Sequence, residues 1–230
     1  NQAPRLRYMS GGQTSVPLTV IAPTGPSGSA AAHHSDNPHG MLMGLPGIKI
    51  AFPSSAADFK GLLIESIREP NPVVFFADLM LLGKKGDVPE GAYSIEFGKA
   101  DVKREGTDVT VVAIGSTVPQ ALEVADQLAE TGVSVEVIDP RTLVPFDWDA
   151  VAKSVSKTGR LVAVDPNRET CGAASEIITQ AVERCWSQLK AQPQRVTWPN
   201  VPMPYSPPLE KAVVSDLDDI RRAIELTLKS

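Results

Sequence analysis

The strands this chain can form are apolar on both faces, and that narrows its fold more than any other feature. Val73–Phe76 is an unbroken apolar run that follows Pro70-Asn71-Pro72, Leu161–Val164 is another, and Val109–Ile114 is broken only by Thr110. A strand with one face in water alternates apolar and polar side chains. A strand without alternation is covered on both sides, as in a parallel sheet. Amphipathic helical stretches separate the runs. This alternation predicts an α/β fold with a mainly parallel sheet.

Val16–Ile21 and Ile48–Phe52 read as further strands in the first half. Ser55 with Asp58 matches a capping box before a helix whose Phe59, Leu62, Leu63, Ser66 and Ile67 share a face. Residues 83–106 are charged and glycine-containing, and read as a connector with one or two edge strands. The second half adds strands at Val133–Ile138 and Arg195–Trp198. Its helices are expected at Pro119–Thr131, stopped by Gly132, at Trp148–Val155 and at Cys171–Leu189. Ser215 with Asp218 is expected to cap a last helix, in which Leu217, Ile220, Ile224 and Leu228 share a face. The reading is therefore a partial domain at 1–82, a connector at 83–106 and a complete α/β domain at 107–230. Three strands and one helix leave the first sheet with unpaired edges, which is unfavourable without a partner. Asn1–Arg7 reads as the end of a helix, so an upstream segment is expected to finish that sheet.

Charge and cysteine content exclude some classes. With 27 acids against 22 bases, net −5, there is no electrostatic case for nucleic acid or an anionic membrane as partner. No apolar run approaches the roughly 20 residues of a membrane span. No charged-then-apolar leader begins the chain, and Cys171 and Cys185 lack a CxxC spacing, so a cytoplasmic protein is expected.

No Walker loop or GxGxxG is present, and Gly25-Pro26-Ser27-Gly28 reads as a simple turn. His33, His34 and His39 are the only histidines. Adjacent side chains on extended backbone point to opposite faces, which disfavours one metal shared by His33 and His34. Acid/base chemistry and a purely structural role both remain open for them. Cys171 reads as an incidental thiol, Cys185 as core, and the proline-rich Val201–Leu209 as an extended loop.

Several segments, in order, resemble the beta subunits of pyruvate, acetoin and branched-chain 2-oxo acid dehydrogenases. They are Arg7–Gln13 (RYMSGGQ), Ala22-Pro23-Thr24-Gly25 followed by His34-Ser35, Leu45-Pro46-Gly47-Ile48-Lys49 and Lys60-Gly61-Leu62-Leu63. Asn71-Pro72, Val137–Pro145 (VIDPRTLVP) and Val201–Tyr205 (VPMPY) complete the series, so the likeness runs along essentially the whole chain.

The resemblance implies the C-terminal part of a thiamine pyrimidine-binding domain followed by a transketolase C-terminal-type domain. It implies oxidative decarboxylation of a pyruvate-like 2-oxo acid, with acyl transfer to the lipoyl group of an acyltransferase component. Thiamine diphosphate is expected at the interface with an alpha subunit, which also holds magnesium, in an alpha2-beta2 heterotetramer. The cofactor carries the hard chemistry, and protein groups orient it and move protons. By the same resemblance His34 is the active-site histidine, Ser35 its cofactor-facing neighbour, and the backbone carbonyls of Leu18, Ser66, Glu69 and Asn71 are ligands of a structural potassium. The family's cofactor-activating glutamate lies upstream of the matched region and no acid here corresponds to it, so the isolated chain is expected to be inactive. Thr170-Cys171-Gly172 stands where relatives carry Thr-Gly-Gly. Two other readings share much of this pattern. One is a fragment of a transketolase or deoxyxylulose-phosphate synthase, for which the arginines and histidines of a sugar-phosphate site are not evident. The other is a non-catalytic assembly or docking module.

Overall fold

The structure, a computed structural model, describes residues 2–26 and 28–229. Asn1 and Ser27 lie outside the described residues. The expected helix end at Asn1–Arg7 is therefore seen from Gln2 onward, and the Gly25–Gly28 turn without Ser27.

The chain runs α1 (Gln2–Met9), β1 (Thr19–Thr24), α2 (His39–Met43), β2 (Lys49–Ala51), α3 (Ala56–Arg68) and β3 (Val73–Asp78). It continues through β4 (Asp101–Arg104), β5 (Val109–Ala113), α4 (Thr117–Ala129), β6 (Val135–Asp139), β7 (Thr142–Val144) and α5 (Trp148–Thr158). Then follow β8 (Leu161–Arg168), α6 (Ala173–Cys185), β9 (Gln194–Trp198), α7 (Pro207–Val213) and α8 (Leu217–Leu228).

These strands form two sheets, ordered β1-β3-β2-β7 and β4-β6-β5-β8-β9. In each the central pairings are parallel, and an antiparallel strand, β7 or β4, closes one edge. The fold is thus α/β with parallel-dominated sheets. As their mainly apolar sequences require, β3 and β5 are buried throughout, Asp78 and Thr110 included.

The first sheet departs from expectation in one respect. Its fourth strand comes from residues 142–144, in the second half, so the β2 edge is covered from within this chain. The β1 edge stays open among the described residues, with Leu18, Val20 and Ile21 exposed. β1 also starts later than the expected Val16. The Val16 N–H goes to the Pro70 carbonyl instead, and Pro17 has no N–H to give a ladder. Pro23 is tolerated within β1 because it is an edge strand.

Three apolar clusters hold the molecule together. One packs α3 against the outer face of β2 and β3, through Leu62, Phe75 and Phe97. Another lies between the second sheet and α4 with α8, through Val111, Val124, Leu128 and Ile224. The third joins the halves: Ile50, Phe52 and Phe76 share one cluster with Ile114, Ile138, Leu143, Leu161 and Ile177. An apolar junction of this kind fixes two domains against each other more firmly than the polar interfaces usual between them.

Candidate functional site

Residues 25–38 leave the C-terminal end of β1, at the edge of a parallel sheet where α/β proteins gather their ligands. Gly25 starts the loop at φ +91, and its Cα lies against the Asp78 carboxylate, so a Cβ there would meet Oδ1 at 3.2 Å. Thr24 Oγ1 donates to the Asp36 carbonyl at 2.7 Å and the Gly25 N–H to the same oxygen at 3.1 Å, which closes the loop on itself. His33 and His34 sit exposed in a turn within it. The next residue, Ser35, is fully buried, and its hydroxyl has no hydrogen-bond partner among the described residues. The sequence-derived pair therefore divides: His34 faces outward and Ser35 inward.

The rest of the loop is seated on the second half of the chain. Asn37, itself buried, takes a hydrogen bond from Thr24 Oγ1 and donates through Nδ2 to the Pro166 carbonyl. Asp36 pairs with Arg168. The Ser29 N–H donates to the Glu210 carboxylate at 3.0 and 3.2 Å. His39, fully buried, holds Asp165 Oδ1 through Nε2 at 2.8 Å, and Asp165 Oδ2 takes the Ala174 N–H at 3.0 Å. Asn167 Nδ2 lies 3.5 Å from the same His39 Nε2. Phe52 and Phe76 meet the His39 ring edge-on, with centroids 5.3 and 6.0 Å away. Gly40 completes the seat, since a Cβ there would lie 2.5 Å from the Cys171 carbonyl oxygen.

Two carboxyls at the junction of the halves have raised pKa values, Asp78 against the loop and Asp139 at the end of β6. Burial lifts the Asp78 carboxyl above its ordinary value, against hydrogen bonds from Ser116 and the Met80 N–H. Deeper in, burial pushes Asp139 up to about 6, opposed by the Ser54 hydroxyl and by Lys103, which approaches at 3.8 Å. Lys103 also binds Asp58 and Asp101, each at 2.7 Å. Burial alone would raise Asp58, but Lys103, Ser55 and Arg141 hold its carboxyl below the ordinary value.

Sequence reasoning missed Asn37, Asp165 and Arg168, and singled out His39 as a histidine without finding its partner. The available signal was a polar run, Asp165-Pro166-Asn167-Arg168, straight after an apolar strand. That strand was expected to stop at Val164, yet β8 continues to Arg168 because its backbone, after a register shift, pairs again with β9 at Trp198, which leaves the polar side chains to bind the loop and His39. Two further boundaries shift for local reasons. α6 begins at Ala173, not Cys171, because Cys171 lies at φ +57 and Gly172 is the extended cap. It ends at Cys185, short of Leu189, and gives way to a short 3₁₀ turn. α8 is capped by Asp216 rather than Ser215, with Asp219 completing the box.

The four residues expected to hold potassium gather where α3 ends and β3 begins. Pro70 stands four residues after Ser66 and has no N–H, so the Ser66 carbonyl lacks its helical donor and takes the Thr19 hydroxyl at 2.8 Å. The Leu18 carbonyl takes the Val73 N–H at 2.9 Å. Each carbonyl has a second lone pair. Asn71 binds Glu69 Oε1 at 2.8 Å, and Glu69 Oε2 pairs with Lys49. Among the described residues no cluster of His, Cys, Asp and Glu is arranged to hold a metal ion.

The chain matches two consecutive family descriptions: "Transketolase, pyrimidine binding domain" over residues 1–85 and "Transketolase, C-terminal domain" over 98–220. A solved "Split gene transketolase, inactive beta4 tetramer" superposes with a TM-score of 0.75 over 94% of this chain and 67% of that one, at 22% identity, which shows the shared fold. Among curated proteins, the acetoin:2,6-dichlorophenolindophenol oxidoreductase beta subunits are similar. That of Bacillus subtilis is 43% identical over 96% of this chain and 64% of its own length. That of Cupriavidus necator is 42% identical over 100% and 68%. The pyruvate dehydrogenase E1 component subunit beta of Bacillus subtilis is 40% identical over 89% and 63%. The chain belongs to this family of transketolase-like dehydrogenase beta subunits. It spans about two thirds of the length of these relatives, 64%, 68% and 63%.

Proposed function

We propose that this chain acts as the beta subunit of the thiamine-diphosphate-dependent, decarboxylating component of a 2-oxo acid dehydrogenase, with a pyruvate-like or acetoin substrate. The observation that carries the reading is the position of His34. It stands exposed on a loop at the C-terminal end of a parallel strand, in a pyrimidine-binding-type domain. A histidine there can give and take a proton near neutral pH. Thiamine diphosphate, when bound, supplies the electron sink for loss of carbon dioxide. Of this chain's residues, His34 moves a proton as the acyl group passes to lipoyl, and Ser35, fully buried with its hydroxyl unpartnered among the described residues, backs the loop from within.

The aminopyrimidine needs a carboxylate, and this loop does not have one free, since Asp36 is held by Arg168. The activating carboxylate and the magnesium-bound diphosphate are accordingly assigned elsewhere, the latter to an alpha subunit in an alpha2-beta2 assembly. The lipoyl-bearing acyltransferase is the acyl acceptor. Potassium at the Leu18, Ser66, Glu69 and Asn71 carbonyls is part of the proposal, supported by the missing helical donor at Ser66. A reducing, cytoplasmic setting fits the two free thiols. Among the described residues no helix is long and apolar enough to cross a membrane.

Coexpression with an alpha subunit tests the assignment. With the segment that carries the activating glutamate joined to this chain, the copurified pair is expected to release carbon dioxide from a 2-oxo acid, or to oxidise acetoin, only when thiamine diphosphate is added. A well-folded pair with neither activity overturns it. Potassium is expected to raise the melting temperature more than equimolar sodium, and equal effects remove the cation from the proposal.

A further inference from the structure

The loop that carries His34 is held from outside its own domain, and apart from the Ser29 tie to Glu210 its bonds to the second half converge on one short stretch. Asp36, Asn37 and His39 reach Arg168, the Pro166 carbonyl and Asp165, all at the C-terminal end of β8 in the second sheet. The innermost tie is an unusual choice for stability. His39 and Asp165 are both fully buried, and His39 Nδ1 has no partner among the described residues. Besides Asp165 and the Asn167 amide at 3.5 Å, the ring meets Phe52 and Phe76. An apolar ring would fill the same space without an orphaned polar atom. A polar pair kept under those conditions serves to fix a register or a geometry, because only a directional contact selects one seating of the loop.

We propose that His39, bound to Asp165, is a positioning residue: it anchors the 25–38 loop to the end of β8, so that the second domain sets where the His34 imidazole stands. The catalytic consequence rests on the reading of His34 given above, whereas the anchoring does not. His39 does not reach the reacting atoms, because its ring is fully buried and its Nε2 is spent on Asp165.

The chain has only three histidines, so selective imidazole labelling yields three spin systems, assigned by single substitutions. The full chain is compared with His39→Phe, which keeps an aromatic ring between Phe52 and Phe76 but cannot bind Asp165, and with His39→Gln, whose amide can donate to it. Arg168→Gln loosens the same loop at the rim without touching the core. In the folded His39→Phe protein the His34 signals are expected to shift or broaden, with partial return in His39→Gln and a smaller change in Arg168→Gln. In the complex with an alpha subunit, with the segment that carries the activating glutamate present, kcat for acyl transfer is expected to fall by roughly 10- to 100-fold in His39→Phe with KM for the 2-oxo acid little changed, since a displaced catalytic group costs rate. His39→Gln should recover part of that loss. His34 signals unchanged in folded His39→Phe and Arg168→Gln proteins would overturn the proposal. So would a loss in His39→Gln as deep as in His39→Phe, which marks a merely structural role. If the His34 signals move but His34→Ala leaves turnover intact, the anchoring stands and the catalytic reading of His34 falls.

Discussion

At the scale of single residues, Asp139 ties stability to pH. Burial raises its carboxyl from 3.8 to about 6 in the folded chain. The folded state therefore binds this proton more tightly than the unfolded one. Its contribution favours folding at low pH and is lost as pH rises from about 4 through about 6. Asp58, beside it, is shifted the other way, so the stability it adds is lost only as pH falls below 3.8, outside that window. In Asp139→Asn, the dependence of unfolding free energy on pH between about 4 and 7 is expected to change by 1–3 kcal/mol, with the substitution least harmful near neutrality. An unchanged slope in denaturant titrations would remove Asp139 as its source. Cys171 offers a second test. Its left-handed backbone, φ +57, costs a non-glycine residue about 1–2 kcal/mol, part of which glycine's greater unfolded entropy offsets. Cys171→Gly is expected to raise stability by up to about 1 kcal/mol, and a measured loss would show that the thiol makes an unrecognised contact.

At the scale of elements, much of the architecture was legible because it rests on local pattern. The apolar runs marked β3, β5 and the first part of β8, and the Ser55 cap lies where the sequence predicts it, accepting the Asp58 N–H at 3.1 Å. The last helix was legible in its face but not in its cap, because Ser215 and Asp216 are both suitable residues and only backbone geometry separates them. Asp216→Ala is accordingly expected to cost about 1 kcal/mol and Ser215→Ala much less, as read from thermal melts. The Ser215 hydroxyl is buried without a partner among the described residues, so its removal leaves nothing unsatisfied. Equal costs would contradict the cap assignment. The site was half legible. His34 stood out through its neighbours in sequence and the resemblance they carry. His39 did not, because its partner lies 126 residues away and no local period announces such a pair. β7 escaped notice for the same reason: three residues carry little pattern, and its pairing with β2 is set by the tertiary junction.

At the scale of the whole molecule, the two domains behave as one support for one loop. Phe52 and Phe76 from the first half share a core with Ile114, Leu161 and Ile177 from the second, while the polar end of β8 grips the loop above that core. Relative position is thus set by apolar packing and loop placement by directional bonds. The division suits the proposed site, in which an imidazole is presented to a partner rather than a ligand enclosed by this chain alone. The measurement that bears most directly on this account is the rate of acyl transfer to a lipoyl domain by the assembled alpha–beta enzyme, with and without His34. His34→Ala is expected to lower it on the order of 10²-fold or more, with thiamine diphosphate still bound and the melting temperature preserved; transfer at the unsubstituted rate would contradict it.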